Sequence, residues 1–213
     1  MALVVVMLAP PTTGHRWGAW LGGRRVDHVV LLDDSFSMAD RRPDGSAFDV
    51  AKRAVARIVD DLKSQPAGQT LTLLRFSRAA GEEGLPEADL VRRSLGGSGD
   101  ESARVIAEVE ARLAAIDVSE QAVGPLTALA AASQLFDEEQ DATRIVYVVS
   151  DFRERDWAEV EAARSVLDPL VAEDVELVFV DCVDRARPNL SIAELKPAAG
   201  TLVADVPIGI EVA

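Results

Sequence analysis

The sequence predicts an α/β fold, with a doubly wound, mainly parallel central sheet flanked by helices. Three observations predict it. From Val26 onward, apolar runs of strand length alternate with segments whose apolar residues recur at helical spacing. The first run, "VDHVVLLD", is continuously apolar, as a strand buried on both faces requires. The helical segments between runs are long enough to cross over a sheet, so the strands they join run parallel through right-handed connections.

The elements follow in order. After the first strand, "SAFDVAKRAVARIVDDL" sets Phe48, Ala51, Val55, Ile58 and Leu62 at helical spacing, with Ser46 as the N-cap. "QTLTLLRFS" is the next strand, and after a Gly- and Glu-rich loop "ADLVRRSL" is polar enough for a short exposed edge strand. "ESARVIAEVEARLAAI" puts Ile106, Val109, Leu113 and Ile116 on one face of a second helix. "GPLTALAAASQLF" is a shorter helix with Pro125 in its first turn, where a missing N–H costs little. "TRIVYVVSD" is the clearest later strand. The helix "DWAEVEAARSVLDPLV" opens on a capping box of Asp156 and Glu159, and Pro169 ends or bends it near its C-terminus. "VELVFVDC" closes the series. The organisation expected is an apolar stub and linker over 1–25, the α/β domain over 26–185, and a β-rich tail over 186–213. Pro and Gly break that tail, which either wraps the domain or begins another.

Composition narrows the partners. Apolar residues make up 48% and charged residues 27% of the 213, a soluble globular balance. Acidic residues outnumber basic ones 36 to 22, a net charge of −14 that repels phosphate backbones, and no basic groove offsets it. The single cysteine, Cys182, excludes an internal disulfide framework and a Cys-based zinc site, and its place at the end of an apolar run suits a buried, inert thiol. "MALVVVMLAPP" is shorter than the roughly 20 residues that cross a bilayer and lacks the basic start of a secretory signal. It reads as a short buried strand or as the last half of a membrane helix. Trp17 and Trp20 with Arg16, Arg24 and Arg25 mark either a membrane interface or a plain linker.

The chemistry gathers around "HVVLLDDSFSMAD". Ligands of parallel α/β sheets collect beyond the carboxyl ends of the strands. Asp33, Ser35 and Ser37 follow the first strand, Asp151 follows "RIVYVVS", and Thr127 lies near the start of the helix "PLTALAAASQLF". Two carboxylates and three hydroxyls form a hard-oxygen set suited to Mg²⁺ or Mn²⁺. Taken singly, each Asp or Ser is an ordinary turn or cap residue. Asp34 is expected to be solvated or one step removed from the metal, His28 to be packed rather than a ligand, and "FDEEQD" (136–141) to be a solvated helix end and turn.

The pattern "DDSFS", a distant Thr and a later "SD" after an apolar strand resembles the von Willebrand factor type A domain, a Rossmann-like fold, over roughly residues 26–185. The resemblance implies a metal-ion-dependent adhesion site at Asp33, Ser35, Ser37, Thr127 and Asp151. In it, hydroxyls coordinate directly, Asp groups often act through water, and an open position takes an acidic side chain of a partner protein. Two residues depart from the family's pattern: Phe36 stands where Gly is usual, and "GPLT" replaces a Gly pair before the Thr. Phe36 narrows the approach to the metal or offers it a hydrophobic contact, and Leu126 stiffens the second loop. The stub before the domain and the β-like sequence behind it are similar in arrangement to bacterial Bat-type (aerotolerance-related) membrane proteins. That likeness implies membrane association at the bacterial cell envelope, outside the cytoplasmic membrane. The arginines after the stub favour a cytoplasmic face instead.

The function expected is therefore a non-enzymatic, metal-dependent protein-interaction module that binds Mg²⁺ (or Mn²⁺) and a partner's Asp or Glu carboxylate. The alternatives are a structural scaffold with the site empty and, behind it, a metal-dependent phosphohydrolase. A dehalogenase-type phosphatase needs a second Asp where Ser35 stands, and a receiver domain needs an Asp at the end of "TLTLLRFS". A serine hydrolase would need a Gly-x-Ser-x-Gly elbow and a late histidine, and the chain has neither.

Overall fold

The computed structural model describes residues 25–42, 45–97, 99–121, 123–136, 142–183, 195–197 and 210–212. The chain divides into two compact units, Met1–Val183 and Asp184–Ala213. In the first, β1 (Val26–Leu32) leads through a 3₁₀ turn and a minimal antiparallel pair, β2 (Arg41–Arg42) and β3 (Gly45–Ser46), into α1 (Ala47–Lys63). Then come β4 (Gln69–Arg75), β5 (Leu90–Leu95), α2 (Asp100–Ala115), α3 (Pro125–Ala132), β6 (Thr143–Ser150), α4 (Val160–Ala172) and β7 (Glu176–Asp181). The second unit contains β8 (Leu195–Pro197), antiparallel to β9 (Ile210–Val212).

The main sheet has five strands in the order β5-β4-β1-β6-β7, and only β5, at the edge, runs antiparallel. The strand with the most continuous apolar run therefore takes the centre, and every residue of β1 after Val26 is buried. Strand pleating sends alternate side chains to opposite faces. Val30 and Leu32 join a core with Phe48, Ala51 and Val55 of α1 and Val109 and Leu113 of α2. Val29 and Leu31 join another with Ala128 and Leu129 of α3 and Leu170 of α4. His28 is packed as expected: it is buried, its Nε2 lies 2.8 Å from Gln69 Oε1, and its ring stacks on Tyr147 at 5.9 Å. Burial pulls its pKa below the usual value.

Local signals hold in α1, where Ser46 accepts from Asp49 N at 3.0 Å and Asp49 Oδ2 accepts from Ser46 N at 2.8 Å, closing a capping box. Ile58 and Ile106 flank their helix faces, while Val59 and Val105 are the buried residues. The capping box expected at Asp156 does not form. Glu154–Trp157 winds as a 3₁₀ turn, α4 begins at Val160, and Glu159 at the N-cap makes no side-chain capping bond. Packing overrides the spacing here: Trp157 lies against Phe152 and Phe179, with ring centroids 5.8 and 6.1 Å away, so the turn is drawn onto the sheet. Pro169 sits in the last turns of α4, which runs on to Ala172. Of "FDEEQD", residues 137–141 lie outside the described residues, as do the stub and linker before residue 25.

Candidate metal centre

The strand order reverses at β1. The chain moves from β1 outward to β4 and β5, then returns to place β6 on the other side of β1, making the carboxyl ends of β1 and β6 the switch point where such sheets bind ligands. Leu32 pairs with Val149 in that ladder, and Asp33 N donates to Val149 O at 2.9 Å, so Asp33 leaves the sheet beside Ser150 and Asp151.

Asp33 is buried, and both of its carboxylate oxygens are engaged. Oδ1 accepts from Ser35 N at 2.9 Å, closing an Asx turn, and Oδ2 accepts from Ser150 Oγ at 2.5 Å. Phe36–Ala39 then winds into a 3₁₀ turn pinned by the fully buried Met38. That pin brings the Ser35 and Ser37 hydroxyls to 2.9 Å of each other and turns Phe36 out to solvent, 69% exposed. Asp151 is tucked in at the end of β6, its side chain 5% exposed. Arg153 Nε donates to its Oδ2 at 2.9 Å, while its buried Oδ1 has no hydrogen-bond partner. Burial raises the pKa of Asp33, hydrogen bonds from Ser150 and Ser35 oppose the rise, and the Asp151 charge adds to it. Cys182 feels the same two carboxylates: burial first, then Asp181, Asp33 and Asp151, push its thiol up to about 12, as expected of an inert, buried cysteine. Thr127 is exposed in the first turn of α3, and α3 packs against β1.

The donor set fits a hard divalent cation. A buried carboxylate oxygen without a partner costs on the order of 1–3 kcal/mol or more, and a cation or its bound water is the natural way to satisfy it. Hydroxyls carry much of the set: among the described residues, no three His, Cys, Asp or Glu side chains form a metal-binding group. Of the five residues expected to hold an ion, hydrogen bonds and the β1–β6 ladder set Asp33, Ser35, Ser37 and Asp151 at this edge, and Thr127 lies in the first turn of the helix that packs against β1.

Asp34 is a correction to the sequence reading. It is fully buried rather than solvated. Its carboxylate accepts from Ser77 N at 2.9 Å and Ser77 Oγ at 2.5 Å, and pairs with Arg75 at 3.4 Å. Arg75 in turn forks onto Asp89 at 2.9 and 3.1 Å, and the Asp34 carbonyl accepts from Ser119 N at 2.6 Å. Asp34 thus ties together the loops that follow β1, β4 and α2. Two residues at the site escaped the sequence reading. Ser150 positions Asp33, and the "SD" pair was its only sequence signal. Arg153 had none.

A family model for the von Willebrand factor type A domain matches residues 28–154. The chain belongs to that family. Solved structures place the type A fold in varied company. An aerotolerance-related membrane protein from Bacteroides fragilis is 17% identical with a TM-score of 0.51, the alignment covering 88% of this chain and 81% of that one. Proximal thread matrix protein 1 from the mussel byssus is 14% identical with a TM-score of 0.51, covering 73% of this chain and 37% of that one. A further structure of the mussel protein, with a zinc-occupied adhesion-site motif, is 13% identical with a TM-score of 0.49 over 73% of this chain and 37% of that one. The likeness to the first two of these shows the fold alone. No curated protein matches the chain. Among the described residues, no helix of this type A chain is long and apolar enough to cross a membrane.

Proposed function

We propose that this type A domain is a metal-dependent protein-interaction module. Asp33, Ser35, Ser37, Thr127 and Asp151 hold Mg²⁺ or Mn²⁺, and an Asp or Glu carboxylate of a partner protein completes the coordination. The observation that carries this reading is the unpartnered, buried Oδ1 of Asp151, set at the switch point where Asp33 and the Ser35–Ser37 hydroxyl pair also lie. A bound cation would supply the positive charge that lets a chain of net charge −14 receive an acidic group. The protein's own contribution is rigidity. The Asx turn at Asp33, the Met38 pin and the Ser150 bond fix the donors before any ion arrives.

The same reading takes the domain as non-enzymatic, with Asp33 and Asp151 acting as ligands rather than as acid or base. Membrane association at a bacterial envelope is part of the proposal, supported by the fold shared with the aerotolerance-related membrane protein.

The test is calorimetric titration of Mg²⁺ and Mn²⁺ into the wild type, Asp33→Ala and Asp151→Ala. Binding is expected in the wild type and absent, or at least about tenfold weaker, in both variants. Equal heats in all three would refute the site.

A further inference from the structure

The Asp151 carboxylate has two fates in this structure. One oxygen is buried and free of partners, and the other is held at 2.9 Å by Arg153 Nε. Arg153 reaches this position because the chain reverses sharply just after β6. Phe152 adopts φ 45°, a left-handed conformation uncommon for a residue with a side chain, and its amide donates to Ser150 Oγ at 3.2 Å. Phe152 packs between Trp157 and Phe179, both at 5.8 Å, and that packing holds the unfavourable backbone in place. The strained turn therefore delivers a guanidinium, 27% exposed, onto a carboxylate that is 5% exposed.

We propose that Arg153 is the affinity-setting residue of the metal centre: a built-in cation that neutralises Asp151 while no ion is bound and competes electrostatically with the ion for it. The inference rests on the proposed function, since it concerns the same site. Asp33 and Asp151 leave the neighbouring strands β1 and β6 at the same edge, and like charges placed together oppose each other. A guanidinium on Asp151 offsets that repulsion, so the fold tolerates the empty site. The same positive charge then opposes any dication that enters. For a unit charge and a dication about 6 Å apart, screened as in bulk water, Coulomb's law corresponds to roughly a tenfold loss of affinity, and more in a drier site. Arg153 thereby makes the centre one that fills and empties with cation concentration instead of retaining its ion.

The experiment compares wild type, Arg153→Gln and Arg153→Lys by Mn²⁺ calorimetry and by melting with and without Mn²⁺. Glutamine retains an N–H donor for Asp151 but removes the charge. Lysine retains the charge. Arg153→Gln is expected to bind Mn²⁺ at least about tenfold more tightly, to melt lower without metal, and to gain more from metal than the wild type does. Arg153→Lys is expected to stay within about threefold of wild type, because charge rather than the guanidinium's shape sets the effect. Mn²⁺ affinity unchanged or weakened in Arg153→Gln, with the wild type binding, overturns the inference and leaves the metal centre standing. No Mn²⁺ binding in any of the three overturns the metal centre itself. Binding that emerges only in Arg153→Gln supports both.

Discussion

Replacing Asp34 with alanine removes the acceptor for two donors of Ser77, at 2.9 and 2.5 Å, and one of the two carboxylates that flank Arg75. The carboxylate is fully buried and the Arg75 side chain is 15% exposed, so water does not readily take over these roles. Hydrogen bonds to a charged group contribute about 1.5–3 kcal/mol each, and the relieved desolvation of Asp34 offsets part of the loss. Arg75 keeps its fork onto Asp89, which limits the damage on its side. The net expectation is a destabilisation of about 3–5 kcal/mol, the range for breaking a buried pair. For a domain of this size that is a fall in Tm of roughly 6–20 °C. Asp33→Asn is the informative neighbour. It keeps the shape of a side chain whose charge the empty fold already disfavours, so its metal-free stability should lie within about 1.5 kcal/mol of wild type while its Mn²⁺ affinity is lost. Urea melts of the metal-free proteins, paired with Mn²⁺ calorimetry, give both numbers. If Asp34→Ala is as stable as wild type, or loses Mn²⁺ binding while remaining fully stable, the division between a structural and a ligating carboxylate is wrong.

Two further outcomes follow from the geometry. Ser150→Ala removes the hydroxyl that donates to Asp33 Oδ2, which should weaken Mn²⁺ binding about 10-fold or more while costing only about 1 kcal/mol in a urea melt. His28 has a folded pKa held below its usual value of about 6.5 by burial, so the stability it confers is full above that value and is lost as pH falls below it. Metal-free Tm should therefore drop as pH is lowered from 7 towards 5, and His28→Gln should flatten that part of the slope.

The sequence made the scaffold legible because the scaffold is written in local patterns. Continuous apolar character put "VDHVVLL" at the sheet's centre, and polar character put "LVRRSL" at its edge. Ser46 and Asp49 close a capping box, as their spacing at a helix start allows. Asp156 and Glu159 have the same spacing and close none, because an aromatic cluster drawn from three segments takes the turn first. The same distinction divides the two adjacent carboxylates. Asp33 could be placed at the sheet's carboxyl edge because that position follows from the end of its strand. The role of Asp34 could not be read that way, because its partners Arg75 and Ser77 lie on another strand end, and no local rule links them to it. Arg153 was invisible for a related reason: an arginine two residues after an aspartate is unremarkable until the backbone at Phe152 folds it back.

The placement of charge gives these particulars a common logic. Asp33, Asp34 and Asp151 follow the carboxyl ends of β1 and β6, and the fold treats each differently. Asp34 is matched by Arg75 and Ser77 in a buried network with its donors paired, and such a network rigidifies the loops it joins. Asp33 is held by a hydroxyl and an amide, and burial raises its pKa against those bonds. Asp151 is half satisfied, with one oxygen on Arg153 and the other on nothing. A fold that needed only a stable loop would have paired all three as it pairs Asp34. Asp33 and the half-satisfied Asp151 instead set negative charge at the switch point beside two hydroxyls, an arrangement that suits the proposed divalent cation.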